Sequence, residues 1–216
     1  PGEKRAVLRR AVLAYQRDGQ PEATVAMLKA LQQHEHVQFD IRESKELWTH
    51  LSAAQRLTGD LKGAMATIER ILADDPNYAP ALFHKALALV ASGRAPDALP
   101  LLTRADSGGL DNWSRALVLF AAGRAAQAAD QPQDAVDAFE RAIDVYPAFL
   151  PAYFWRSDVR LELGDPYLAS KELCRHLGSD PLEYARDRVA GLFYDPLPAL
   201  EPLVLRMLSA ASEQNF

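Results

Sequence analysis

The chain has 216 residues, of which 49% are hydrophobic and 25% charged, and a formal net charge of −5. That is apolar material for one sizeable core, and the acidic balance argues against a general nucleic-acid binder. No apolar stretch could span a bilayer, because Arg, Lys, Asp or Glu interrupts every candidate, so no membrane insertion is expected.

Taken in order, the chain divides into units that begin near Arg5, Lys45, Ala79, Ala116 and Leu150. Each has a half with apolar residues at helical spacing, a turn, and a second helical half. The first unit opens on a basic helix carrying Lys4, Arg5, Arg9, Arg10 and Arg17, which reads as a solvated end face. Its Val12 and Thr24 stand where later units have small residues, and extra residues around His34 to Arg42 separate it from the second unit. Pro76, Pro147 and Pro181 close the second, fourth and fifth units, since a proline cannot continue the helix before it. Pro21, Pro96, Pro132 and Pro166 follow the internal turns, where a missing N–H costs nothing in the first turn of a new helix. The third unit carries Pro100 within its second helix and ends in Ser107-Gly108-Gly109, which predicts a short or kinked helix, a loop about three residues longer than in the other units, and a bend in the array.

The internal turns fall at Gly59-Asp60, Gly93-Arg94, Asp130-Gln131 and Gly164-Asp165, and an alanine follows each at a fixed offset: Ala64, Ala98, Ala135 and Ala169. A period of roughly 34 residues indicates a helical-repeat array. Small residues at Ser52, Ala86, Gly123 and Ser157 would let a partner helix approach from one side, and the four alanines from the other.

Trp48, Leu51, Ser52, Gly59, Ala64, Ile68, Ile71 and Pro76 resemble the tetratricopeptide repeat in order and spacing. Leu119, Ala122, Gly123, Ala135, Phe139, Ala142 and Pro147 repeat the pattern, as do Tyr153, Ser157, Gly164, Ala169, Leu173 and Pro181. The resemblance implies an all-α fold, a right-handed α-solenoid of about five helix pairs over residues 1–181. Beyond Pro181, Leu182, Tyr184, Val189, Leu192 and Phe193 precede a break at Asp195 to Pro198, followed by Leu200, Leu203, Val204, Met207 and Leu208. Residues 182–216 are therefore expected to form a C-terminal capping helix pair over the last apolar face.

No clustered acid, base and nucleophile, phosphate-binding glycine loop or paired metal ligands can be read from the chain. The spacing of His34 and His36 would put them on different sides of a helix, and Cys174, the single cysteine, reads as a small buried hydrophobe. The expectation is a protein with no enzymatic activity, no cofactor and no metal. Its function would be that of an interaction scaffold, the alternative being the substrate-recruiting or regulatory region of a larger transferase or hydroxylase. Pro1 is not an initiating residue, so the lack of a leader says little about compartment; the cytoplasm is expected, with the periplasm as the alternative. The Arg- and Ala-rich composition resembles that of high-GC bacteria.

In arrays similar to this family, the fifth, sixth, ninth and twelfth positions of each first helix line the concave face. The resemblance thereby implies Thr49, His50, Ala53 and Arg56; Phe83, His84, Leu87 and Val90; Phe120, Ala121, Arg124 and Gln127; and Phe154, Trp155, Asp158 and Leu161. Phe83, Phe120 and Phe154 would form an aromatic ladder that either meets a ligand or packs between units. Arg56 and Arg124 could pair carboxylates, and His50, His84, Gln127, Trp155 and Asp158 complete the expected partner-binding set. The expected partner is a protein or peptide, with a carboxylate-bearing segment as the natural choice. The chaperone-tail clamp of some family members requires Lys and Asn where this chain has Arg9, Leu13, His50 and His84, so that activity is not expected.

Overall fold

A computed structural model describes residues 6–7, 10–11, 20–33, 40–165, 167–169 and 171. Among them there is no strand. The helices are α1 (Pro21–Gln33), α2 (Ile41–Leu57), α3 (Leu61–Asp74), α4 (Ala79–Ala91), α5 (Ala95–Asp106), α6 (Asn112–Ala128), α7 (Pro132–Val145) and α8 (Leu150–Glu162). Residues 6–7, 10–11, 167–169 and 171 are helical as well. The fold is an α-solenoid in which α2/α3, α4/α5 and α6/α7 pair as antiparallel neighbours. Each second helix also packs on the first helix of the next unit, while α2, α4, α6 and α8 meet along one side. The expected capping pair and Cys174 lie outside the described residues.

The four turns share one backbone solution. Gly59, Gly93, Asp130 and Gly164 have φ of 81°, 74°, 57° and 81°. At the first of them the Gly59 N–H donates to the Arg56 carbonyl at 3.0 Å and the Asp60 N–H to the Gln55 carbonyl at 2.9 Å. The same two bonds recur at the other three turns, which satisfies the last carbonyls of each first helix through a left-handed residue. Glycine adopts that conformation without Cβ strain, whereas Asp130 does so as one of the few side chains that tolerate it.

The pairing contact is close. Ala64, Ala98, Ala135 and Ala169 are all fully buried, as are Ala86 and Ser157 opposite them. A Cβ at Gly123 would overlap the Phe139 ring, so the absence of that atom lets Phe139 lie directly against α6. Thr24, which breaks the small-residue rule, is also fully buried. Its Oγ1 donates to the Ala11 carbonyl at 2.7 Å, a tether that joins α1 to the preceding helical residues and compensates for its bulk.

Sequence reasoning misplaced the insertions. The extra residues before the fourth unit do not lengthen a loop by about three: residues 107–111 connect α5 to α6, against 75–78 and 146–149 at the equivalent junctions. They extend α6 to 17 residues, compared with 13 for α4, and α2 is lengthened equally. Aspartates drive both extensions. Asp111 accepts from the Ser114 N–H at 3.0 Å, and Asp40 forms a reciprocal capping box with Glu43. The 12-residue α5, with Pro100 inside, is shorter than the 14-residue α3 and α7, as expected. Its last residue, Asp106, binds Arg115 at 2.7 Å and Arg141 at 2.9 Å, pinning the glycine-containing junction to both helices of the fourth unit.

These contacts predict two stability changes of opposite sign. Asp130→Gly should raise stability by roughly 0.5–1 kcal/mol by removing left-handed strain, whereas Gly123→Ala should lower it by about 1 kcal/mol or more despite better helix propensity, because Phe139 has no room to retreat. Urea unfolding of both variants checks the pair.

Candidate functional site

The first helices α2, α4, α6 and α8 meet along one side of the array, and their side chains form two distinct constellations. The first is a cavity of about 270 Å³ among α2, α4 and α6. The α2 wall supplies Glu46, Thr49 and His50, and α4 supplies Phe83 and His84. Opposite them stand Ser114, Leu117 and Val118 of α6 with Leu110 of the preceding loop, while Tyr78, Ala79 and Pro80 border the start of α4. The Phe83 and His84 rings meet edge to face, 5.2 Å apart at 73°.

Burial controls the charge of this cavity. It pushes the His84 imidazole from its ordinary value of 6.5 down to about 3, and the nearby Arg56 and His50 charges act in the same direction. Burial also lowers His50, to about 4. Both rings are uncharged at neutral pH, and the Arg56 cation stands near His84. The resemblance-derived set thus brings His50, Arg56, Phe83 and His84 together.

The second constellation joins α6 to α8. The Arg124 guanidinium carbon lies 3.2 Å from the centroid of the Trp155 ring, a cation–π stack. Arg124 Nη1 donates to Gln127 Oε1 at 2.8 Å, and Gln127 Nε2 donates to Glu162 at 3.2 Å and Asp158 at 3.4 Å. Arg124, Gln127, Trp155 and Asp158 are therefore neighbours, and Glu162 is a member that sequence reasoning missed. Arg124 thus stacks on an indole ring and bonds a glutamine that Asp158 and Glu162 hold in turn.

Two members of the expected ladder stand apart. Phe120 is a core residue, 1% exposed. Its ring sits 5.5 Å from Phe139 and 5.4 Å from Phe149. The cause is local: Phe120 precedes Gly123 by one helical turn, so it shares the face into which Phe139 packs. Phe154 is buried on α8 and does not line the cavity. Of the three, Phe83 alone contributes to the cavity wall. The missed wall residues Glu46, Pro80 and Leu117 hold the second position of their units, one turn before the positions carried over; helical spacing from Thr49, Phe83 and Phe120 was the available signal.

Among the described residues no group of three or more His, Cys, Asp or Glu side chains could hold a metal ion, and no helix is long and apolar enough to cross a membrane.

The profile of the tetratricopeptide repeat matches residues 55–112 and 120–181. Similar solved structures include a thermophilic tetratricopeptide-repeat protein of Thermus thermophilus, with a TM-score of 0.68 at 18% identity over 88% of this chain and 98% of that one. Another is MamA from residue 41 to its end, from Desulfovibrio magneticus, with a TM-score of 0.61 at 21% identity over 85% of this chain and 97% of that one. At these identities the likeness is one of fold. A comparison with curated protein sequences finds no match.

The buried imidazoles predict a pH dependence. Their folded values lie below the ordinary 6.5, so below that pH the unfolded chain binds protons that the folded chain refuses. Stability should therefore fall as pH drops from about 6.5 toward 4, each ring contributing about 1.4 kcal/mol per pH unit at most. In melting experiments over that window, the wild-type chain should lose stability more steeply than His84→Gln; parallel slopes would count against a buried neutral imidazole.

Proposed function

Because the chain belongs to the tetratricopeptide-repeat family, whose fold serves as a protein-interaction scaffold, we propose that its concave face binds an extended segment of a partner protein, without catalysis of its own. The observation that carries this reading is the composition of that face. Every first helix from α2 to α8 contributes side chains to it, beginning with a cavity and ending with a polar network. A ligand laid along the array would meet an apolar recess first and hydrogen-bonding groups farther on, the combination that gives anchoring and register.

The carboxylate-bearing segment suits the Arg56 end of the groove. There the guanidinium stands near the His84 imidazole, and an arginine fork matches a carboxylate in shape and charge. The Arg124 end differs, since Asp158 and Glu162 already place negative charge near that guanidinium. Gln127 and its carboxylate neighbours fit peptide amides there, and Arg124 holds the Trp155 ring in place.

A partner captured from the native source and narrowed to a peptide provides the test. Arg56→Gln should weaken binding about tenfold at low ionic strength, with a smaller difference in high salt, and Gln127→Ala should weaken it about as much as the loss of one hydrogen bond, a few-fold. Affinity that ignores both changes, yet falls on Asp137→Ala of α7, would move recognition to the convex side.

A further inference from the structure

His50 and His84 stand at the same position of consecutive first helices, where the later units carry Ala121 and Trp155. The paired imidazoles therefore belong to one seam, that between α2 and α4. Both line the cavity of about 270 Å³, and His84, 6% exposed, meets the Phe83 ring edge to face. The charges of Arg56 and His50 both act on His84. A proton on His84 would set a second cation near Arg56, with an aromatic ring against it.

The surrounding helices hold their charges in other contacts. Lys45 pairs with Asp75 at 2.8 Å, Lys85 with Glu69 of α3 at 3.8 Å, and Arg94 with Asp97 of α5 at 2.7 Å. Arg70 of α3 stacks on Trp48, while α1, packed on α2, carries Glu22 and Lys29. On α6, Asp106 holds Arg115, Asp111 accepts from Ser114, and Arg124 stacks on Trp155. Burial keeps the Tyr78 phenol un-ionised, with Arg42 and Lys45 close to it. Glu46, one turn before His50, is the carboxylate on the cavity wall, and it is exposed.

The seam differs between its two sides. Away from the cavity, Ile68 and Ile71 of α3 pack on Ala81 of α4. Arg104 of α5 donates there to the Pro76 carbonyl at 2.8 Å and to Asn77 at 2.9 Å. Hydrocarbon and neutral acceptors are indifferent to protons. On the cavity side, existing space lets a small separation hydrate a charged imidazole without first creating a void.

We propose that the contact between α2 and α4 is an acid-sensitive hinge: protonation of His50 and His84 separates these helices at the cavity while α3 stays packed on α4. Packed, the rings stay neutral down to about 4 and about 3, and exposure returns them toward 6.5. Between those values the open form binds protons that the closed form refuses, so each ring shifts the balance by up to about tenfold per pH unit of acidification.

Spin labels at Glu46→Cys of α2 and Asn112→Cys of α6, both exposed, span the cavity in a Cys174→Ser background. Dipolar electron resonance should show a longer-distance population that grows at least about tenfold between about pH 7 and about pH 4.5. The same measurement on His50→Gln/His84→Gln should keep the neutral-pH distribution, and Asn112→Cys paired with Asp144→Cys of α7 should report no change. An unchanged distance, an equal change in the double variant, or an equal change in the α6–α7 pair would each overturn the hinge. Should the double variant fail to fold, NMR titration of the wild-type imidazole Cε1–H groups decides. The rings should titrate together with the longer population, and titration without it overturns the proposal. The hinge goes beyond the groove reading and does not rest on it, so partner affinity indifferent to Arg56→Gln would remove the groove and leave the hinge standing.

Discussion

Everything in this array depends on how closely its two helix layers approach. Where the first helix of a unit presents Ser52, Ala86, Gly123 or Ser157 and the second presents Ala64, Ala98, Ala135 or Ala169, the backbones come near enough for larger neighbours to interdigitate. The fourth unit shows the consequence most plainly. Without a Cβ at Gly123, Phe139 fills the space against α6, and Phe120 and Phe149 close around it. Aromatic rings at these distances add to the area they bury. One missing atom organises a buried trio.

That approach fixes the spacing of successive units, and the spacing builds the cavity among α2, α4 and α6. First helices from consecutive units lie side by side, so residues far apart in sequence face one another across narrow gaps. Near the amino end the gaps open into a recess roofed by three helices. Toward the other end they close, and Arg124, Gln127, Asp158 and Glu162 bridge the last gap with hydrogen bonds. A surface built this way inherits its rigidity from the solenoid, because each wall is a helix whose other face is buried.

Charge is distributed along the groove with similar economy. Burial holds His50 and His84 neutral, and the Arg56 charge near His84 acts in the same direction. Arg124, by contrast, is spent on the Trp155 face and on its glutamine neighbour. The two arginines stand at different repeat positions, Arg56 at the twelfth of its unit and Arg124 at the ninth, and the next unit presents Trp155 of α8 to Arg124.

The amino-acid sequence alone determined the repeat and its internal punctuation. The left-handed turns at Gly59, Gly93, Asp130 and Gly164 and the buried alanines after them are local requirements, which recur wherever the same backbone step recurs. The extra turns of α2 and α6 were also locally encoded, in the caps Asp40 and Asp111, but an alignment by period assigns such residues to loops. Only the tertiary structure decided which groove positions meet. Repeat position by itself put Phe83, Phe120 and Phe154 in one ladder, whereas packing sent Phe83 to the cavity and Phe120 to the core. Glu162 joined Gln127, 35 residues earlier, in the same way. A helical period specifies the direction in which a side chain leaves its own helix. What it then meets is set by the stacking of neighbouring units, a property of contacts between distant residues that no single repeat contains.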